Sequence, residues 1–314
     1  MLAIKTLTPK AVIFRRSVRL MGDQFEISVV GSNPGWADER IDDGIAEINR
    51  VEKLLSTFSD DSAINAINRN AGLSPVKTNP EIFKLIDRCL QIAALTYGSF
   101  DVTYYTADKD SLDFDDTPNK ITAKATKDRV NYQSVVLDPQ AQTVFLKEKG
   151  MRIGLGAVIR GYAADRAKYI LQMQGVSSGV INVGGDLLTW GLQPNDEAWT
   201  IGTADPSQKQ LAFSSLNISN MAVATSVNEP KTTALINKNI LNSNNRNKGF
   251  QVSGIKSVSI VSPVAELADA MATPVMSIGI NAGLYMINKL NQIACIIVDD
   301  HDRVYTSKDI NFNN

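Results

Sequence analysis

The chain has 314 residues, 44% apolar and 21% charged, with 32 Lys+Arg against 33 Asp+Glu and a single histidine, His301. One imidazole excludes multi-histidine zinc and iron sites and the H-E-x-x-H protease helix, and a net charge of -1 without a concentrated basic face excludes phosphate tracking along nucleic acid. No run approaches the roughly 18 apolar residues of a membrane-spanning helix, and 1–20 lacks the apolar stretch and cleavage site of an export signal.

In chain order, 12–30 alternates as strands around a turn at Gly22-Asp23, predicting an opening β-meander. Residues 36–57 switch to helical spacing (Ile41, Ile45, Ile48, Val51, Leu54, Leu55), with Asp38-Glu39 expected in the first turn. The block 55–68 ends this helix and starts another, which Ser59 or Asp60 is able to cap. A further helix is predicted over 79–97, with Pro80 in its first turn and Gly98 as its stop. Residues 108–128 are polar and turn-rich and read as a surface excursion. A hairpin follows around Asp138-Pro139, then a helix over about 163–174 and strands at 180–183 and 199–202. Strand 257–261, helix 265–279 and strands 294–298 and 304–305 complete the pattern.

Short turns between neighbouring strands favour antiparallel pairing and an α+β class. No linker or fixed-period repeat divides the chain, so one domain over 1–314 is expected. Cys89 and Cys295 lie in apolar runs and read as free buried thiols. His301 sits in Asp299-Asp300-His301-Asp302-Arg303, a polar turn rather than a triad member.

Several segments can carry chemistry. Gly98-Ser99-Phe100-Asp101-Val102-Thr103 places a carboxylate after a helix stop, as an Asx turn or a ligand-orienting acid. The Gly-flanked block 156–165 brings backbone N–H groups and Arg160 to a helix start, but it is neither a P-loop nor a dinucleotide fingerprint. Asn182-Val183-Gly184-Gly185-Asp186 demands a sharp turn or a close backbone approach. Asp269 and Thr273, four apart, present two hard oxygens on one helix face, which suits Mg²⁺; a Thr bonding back to its own helix is the bland alternative.

Together and in order, these segments, with Met21-Gly22-Asp23, resemble the FAD:protein FMN transferases, the ApbE-like flavin transferases, over about 18–308. The resemblance implies an ApbE-like fold with a ligand cleft between two lobes that binds FAD and Mg²⁺, and transfer of the FMN half to a Ser or Thr hydroxyl of an acceptor flavoprotein, with AMP leaving. It implies that Asp269, Thr273 and the backbone carbonyl of Ala157 bind the metal, and that Met21, Ser99, Phe100 and Asp101 contact FAD. Arg160, where the family commonly carries Lys, joins those contacts. It also implies work outside the cytoplasm, whereas the chain as given reads as cytoplasmic.

One departure is specific. Where the family continues Gly-x-Tyr after Ala224-Thr225-Ser226 and later supplies a histidine, this chain reads Val227-Asn228-Glu229-Pro230 and an Asn-rich run, with Asn242 at about the histidine's place. Asn can hold a phosphate oxygen but cannot act as a general base, a role typically contributing about 10²- to 10⁴-fold. The expectation is therefore weakened transfer, or transfer using another base such as Asp101. A non-catalytic FAD-binding protein and an FAD pyrophosphatase giving FMN and AMP are the alternatives.

Overall fold

The computed structural model describes residues 10–57, 62–106, 130–201, 216–228 and 254–308, so the excursion at 108–128, Ser59, Asp60 and Asn242 lie outside the described residues. Alternation carries β1 (Val12–Leu20) without a break into a tight turn and back along β2 (Asp23–Gly31). The turn residues are Met21 and Gly22, at φ 52° and 78°, one position earlier than the sequence suggested. Two positive φ angles in a two-residue loop match the right-handed twist of the strands it joins. The expected meander is thus a hairpin, and the next neighbour of β2 comes from far along the chain.

Helix α1 (Pro34–Leu55) starts two residues before the predicted 36 because Asn33 caps it, its side chain accepting from the Trp36 amide, with proline in the first turn. Asp38 and Glu39 therefore fall beyond the first turn, where Asp38 pairs with Arg16 at 2.8 Å. Ser62 caps α2 (Ala63–Arg69), in place of the Ser59 or Asp60 expected. Asn79 caps α3 (Pro80–Leu95), again with proline in the first turn. The fourth helix, α4 (Ile159–Met173), begins four residues before the predicted 163, so much of the Gly-flanked block is helix rather than approach. Two further helices, α5 (Ala265–Ile278) and α6 (Ile280–Ile287), are separated only by Gly279.

The described strands number on as β3 (Val76–Lys77), β4 (Thr103–Tyr105), β5 (Val135–Asp138), β6 (Thr143–Leu146), β7 (Met151–Ile153), β8 (Gly179–Val183), β9 (Asp186–Trp190), β10 (Thr200–Ile201), β11 (Leu216–Asn217), β12 (Ala222–Val227), β13 (Ile255–Ser262), β14 (Ala294–Asp299) and β15 (Val304–Thr306). Eight form one sheet in the order β1-β2-β8-β9-β12-β13-β14-β15, and every described pairing is antiparallel, as the α+β reading required. Short satellites pair β3-β6-β5, β4-β7 and β10-β11. The chain does not turn after Ser226: β12 runs on through Val227, which pairs with Ser257, and a β-branched residue fits that extended backbone.

Apolar side chains of α1, α3, α4 and α5 form one core with β2, β8, β12, β13 and β14, including Ile27, Ile41, Leu85 and Ile260 at 0 to 1% exposure. Burying each such side chain contributes about 1.5–3 kcal/mol. Carboxylates link the helices to one another. Glu47 of α1 accepts from Arg50 and from Arg166 of α4, and Glu81 of α3 accepts from Arg50 and from the Tyr162 hydroxyl. Burial alone would raise the Glu47 pKa, yet the two guanidinium groups hold it below its ordinary value. Cys89 and Cys295 are buried and free.

Helices α4 and α5 pack closely at Gly161. A methyl group there would lie 2.5 Å from the Ala265 carbonyl oxygen and 2.8 Å from the Glu266 nitrogen, both backbone atoms that cannot swing aside. Gly161→Ala would gain up to about 1 kcal/mol of helix propensity, but prying the helices apart costs about 1–3 kcal/mol. A net loss of stability in urea unfolding is expected; a gain would mean that the two helices are free to separate.

Candidate active site

The β1-β2 and β8-β9 turns lie at the same end of the sheet, because the Gly184 amide donates to the Gln24 carbonyl. Gly184 and Gly185 have φ of 59° and 106°. Gly184 is needed for a second reason, since a methyl group on it would stand 2.9 Å from both carboxylate oxygens of Asp23. The Asn182 side chain accepts from the Gly185 amide and fixes the turn. The glycine pair thereby brings Asp186, at the start of β9, beside the last residues of β12, where its carboxylate accepts from the Thr225 amide at 2.9 Å.

The start of α4 reaches the same place. Val158 supplies no side-chain cap, and the first-turn amide of Gly161 is taken instead by the Asp269 carboxylate, an anion at the positive dipole end of this helix. Arg160 Nη1 lies 3.4 Å from Asp23 Oδ2. Asp269 comes from the second turn of α5, and the Gly161 amide and the Arg160 guanidinium both favour its charged form. Oδ2 of Asp269 is buried and has no hydrogen-bond partner among the described residues. Thr273, one turn further on, does not bond back to its own helix: its hydroxyl lies 3.0 Å from the Ser226 hydroxyl, and it is Ser277 that bonds back, to the Thr273 carbonyl.

Burial pushes the Asp269 carboxyl up to about 7, and the negative charge of Asp186 adds to the effect. Asp186 is raised as well, by burial and by Asp23. Three carboxylates thus share one nearby guanidinium, that of Arg160. An orphaned carboxylate oxygen, a hydroxyl one turn away and an excess of negative charge are the environment a hard divalent cation neutralises. Among the described residues no three His, Cys, Asp or Glu side chains form a ready-made cage, and Mg²⁺ commonly takes only one or two carboxylates. The residues fit such an ion, with Ala157 in the exposed turn just before α4.

The remaining predicted residues lie around a second turn. Ser99 and Phe100 follow α3, with the Phe100 amide donating to the Thr96 hydroxyl and its ring buried in the core. Asp101 forms the Asx turn: it accepts from the Thr103 amide and hydroxyl, both at 2.8 Å, and from the Tyr132 amide at 3.0 Å. These bonds tie 98–103 to the segment before β5. Met21 is half-buried at the β1-β2 turn, next to Asp23. His301 lies in the β14-β15 turn with its amide bonded to Asp299 and its ring exposed.

Sequence reasoning did not single out Asp186 or Ser226 by role, nor the job of Asp165. The Asp165 carboxylate accepts from the Ala265 amide at 3.0 Å and the Glu266 amide at 2.8 Å, capping α5, which has no side-chain cap of its own. The run Gly161-Tyr162-Ala163-Ala164-Asp165 gives no hint of this, because the capped helix lies about a hundred residues away.

Burial raises Asp165 to about 6. With Asp269 at about 7, the native chain holds protons that the unfolded chain has already lost. Stability from these two groups is therefore fully present below about pH 4 and is lost as pH rises through 6 to 7, each tenfold preference of the native carboxyl for its proton corresponding to about 1.4 kcal/mol. Melting in EDTA is expected to fall between pH 5 and pH 7.5, and Mg²⁺ to flatten the slope by competing with the Asp269 proton. A profile that rises across this window would contradict the burial of both charges.

The profile of the ApbE family matches residues 21–297. A Klebsiella pneumoniae protein named FAD:protein FMN transferase is 28% identical over 257 residues, 80% of this chain and 79% of its own length. The solved structure of a flavin transferase ApbE from Vibrio cholerae superposes with a TM-score of 0.76 at 19% identity, covering 95% of this chain and 98% of that one. The ApbE protein of Thermotoga maritima does so with a TM-score of 0.73 at 21% identity, covering 94% and 97%.

Proposed function

The chain belongs to the ApbE family, and on that premise we propose that it transfers the FMN moiety of FAD to a Ser or Thr hydroxyl of an acceptor protein in a Mg²⁺-dependent reaction that releases AMP. The observation that carries this reading is the buried, unpartnered Oδ2 of Asp269 beside Thr273, held close to the start of α4 by the Gly161 amide. Asp269, Thr273 and the Ala157 carbonyl would hold the ion. When bound, it supplies positive charge against the pyrophosphate oxygens as AMP departs. Arg160 and the dipole at the start of α4 add fixed positive charge that is already oriented before reaction. Met21, Ser99, Phe100 and Asp101 would line the flavin side, where the hydrogen-bonded Asp101 holds the turn in shape.

Transfer is expected to be slow. The single histidine is exposed in the β14-β15 turn, and the family resemblance sets Asn242 at about the place of the family's histidine. Among the described residues no helix is long and apolar enough to cross a membrane. The test incubates the chain with FAD, Mg²⁺ and an acceptor protein that the Klebsiella relative flavinylates, and reads covalent flavin fluorescence on a denaturing gel together with AMP. Weak labelling that needs both Mg²⁺ and acceptor is the expected result. AMP without labelling would instead make the protein an FAD pyrophosphatase, and FAD binding without AMP would make it a carrier.

A further inference from the structure

One edge of the large sheet is β1, which among the described residues pairs only with β2. Its hydrogen-bonding phase follows from two contacts. The Val30 amide donates to the Ser178 carbonyl and the Gln24 carbonyl accepts from Gly184, so even-numbered residues of β2 face β8 and odd-numbered ones face β1. In the register Val12↔Gly31 to Leu20↔Asp23, the even-numbered residues of β1 answer them. The amides and carbonyls of Ile13, Arg15, Ser17 and Arg19 consequently point away from the sheet, a row of backbone groups that no described residue pairs with and that another strand fits.

The side chains give that edge a character. Arg15, Ser17 and Arg19 share one exposed face, and neither Arg15 nor Arg19 makes an ion pair among the described residues. Arg16, on the opposite face, is by contrast bound to Asp38 and Asp42. Glu26 stands opposite Ser17 and accepts its hydroxyl at 3.3 Å without pairing with either free arginine. The opposite face also carries Phe14 and Val18, half-buried against the core. The edge ends in an open depression of about 470 Å³ lined by Ser17, Arg19, Gly22 and Asp23, and Asp23 is the residue that meets Arg160.

We propose that β1 is the docking edge for the acceptor polypeptide, which adds to the sheet as an extended strand. Because side chains repeat every second residue, a guest matching Arg15 and Arg19 carries two carboxylates four residues apart on one face and apolar residues on the other. Backbone bonds supply affinity and the alternating side chains supply selectivity. The chain that pairs along β1 is led past Leu20 to the Asp23–Arg160 end of the site. The identity of the guest as acceptor rests on the transferase reading; the existence of the edge does not.

The test titrates the full chain with a fluorescein-labelled nine-residue peptide of alternating Thr and Val, with Asp at positions three and seven, and with its Lys-for-Asp counterpart. The Asp peptide is expected to bind at least about tenfold tighter than the Lys peptide, and high salt should erase much of that preference. Arg15→Glu with Arg19→Glu is expected to reverse it. Ser17→Pro removes an amide that faces outward, which an edge strand tolerates, so binding should fall at least about tenfold while melting stays unchanged. Equal binding of the two peptides, no binding of either, or wild-type binding by Ser17→Pro overturns the proposal; arginines that merely keep edges from self-pairing give that result. Failure of FAD and Mg²⁺ to support labelling, with peptide binding intact, would defeat the transferase reading and leave the edge standing.

Discussion

Asp269→Asn is expected to lower Mg²⁺-dependent transfer by about 10²- to 10³-fold while leaving the protein as stable as before or more so. The two effects share one cause. Burial raises the Asp269 carboxyl to about 7, which means that holding the charged form in place costs stability in the absence of a cation. An amide of the same size removes that charge and relieves its repulsion with Asp186. It also removes the anionic oxygen proposed to hold the metal, and losing about 3–4 kcal/mol of charge stabilisation corresponds to the stated factor in rate. The measurement pairs initial rates of flavin labelling with melting in EDTA at pH 7.5. A rate within about threefold of wild type would remove Asp269 from the metal site. A marked loss of stability would show that its carboxylate is structural.

Asp269 and its surroundings divide into residues that the sequence discloses and residues that it hides. The helix over 80–95 was legible from apolar spacing and from its Asn-Pro start, because a cap and its helix are neighbours in sequence; the helix over 34–55 was legible from spacing alone, its Asn33-Pro34 start going unread. The Asp269–Thr273 pair was legible for the same reason, being one turn of one helix. The early start of α4 was hidden by Gly161, a poor helix former that reads as loop until α5 is seen packed on it. Strands β9 and β12 escaped notice because their alternation is short and their burial is set by partners elsewhere in the sheet. Asp186 likewise looked like a turn residue, and only the β8-β9 hairpin turns it toward Arg160 and Asp269. Residues whose role is defined by a partner far along the chain leave no local pattern to read.

Asp165 is the sharpest case, and Asp165→Ala is expected to destabilise the chain by about 1–3 kcal/mol and to weaken metal binding at least about tenfold. The carboxylate accepts both of the first amides of α5, and Glu266, one residue on, is gripped by Arg88 of α3 through contacts of 2.8 to 3.1 Å. Four residues earlier on α4, Gly161 stands against Ala265 and its amide favours the charge of Asp269. Asp165 and Gly161, one turn apart on α4, both meet the start of α5, and this cap fixes the placement of Asp269 and Thr273 against the start of α4. Removing it orphans two amides and frees α5 to slide or rotate. Relief of the buried charge offsets part of the loss, since burial holds Asp165 up near 6, and the net effect on stability is therefore modest. The effect on the site is not offset, because nothing else among the described contacts caps α5. Titration with Mn²⁺ followed by electron paramagnetic resonance reads the site directly, with Asp165→Asn, which keeps one acceptor, expected between wild type and Ala. A lower melting temperature with unchanged Mn²⁺ affinity would make Asp165 a cap and nothing more. A parallel loss of affinity in Asp165→Ala and Asp269→Asn, with opposite effects on melting, is the signature of one residue that positions the site and another that binds in it.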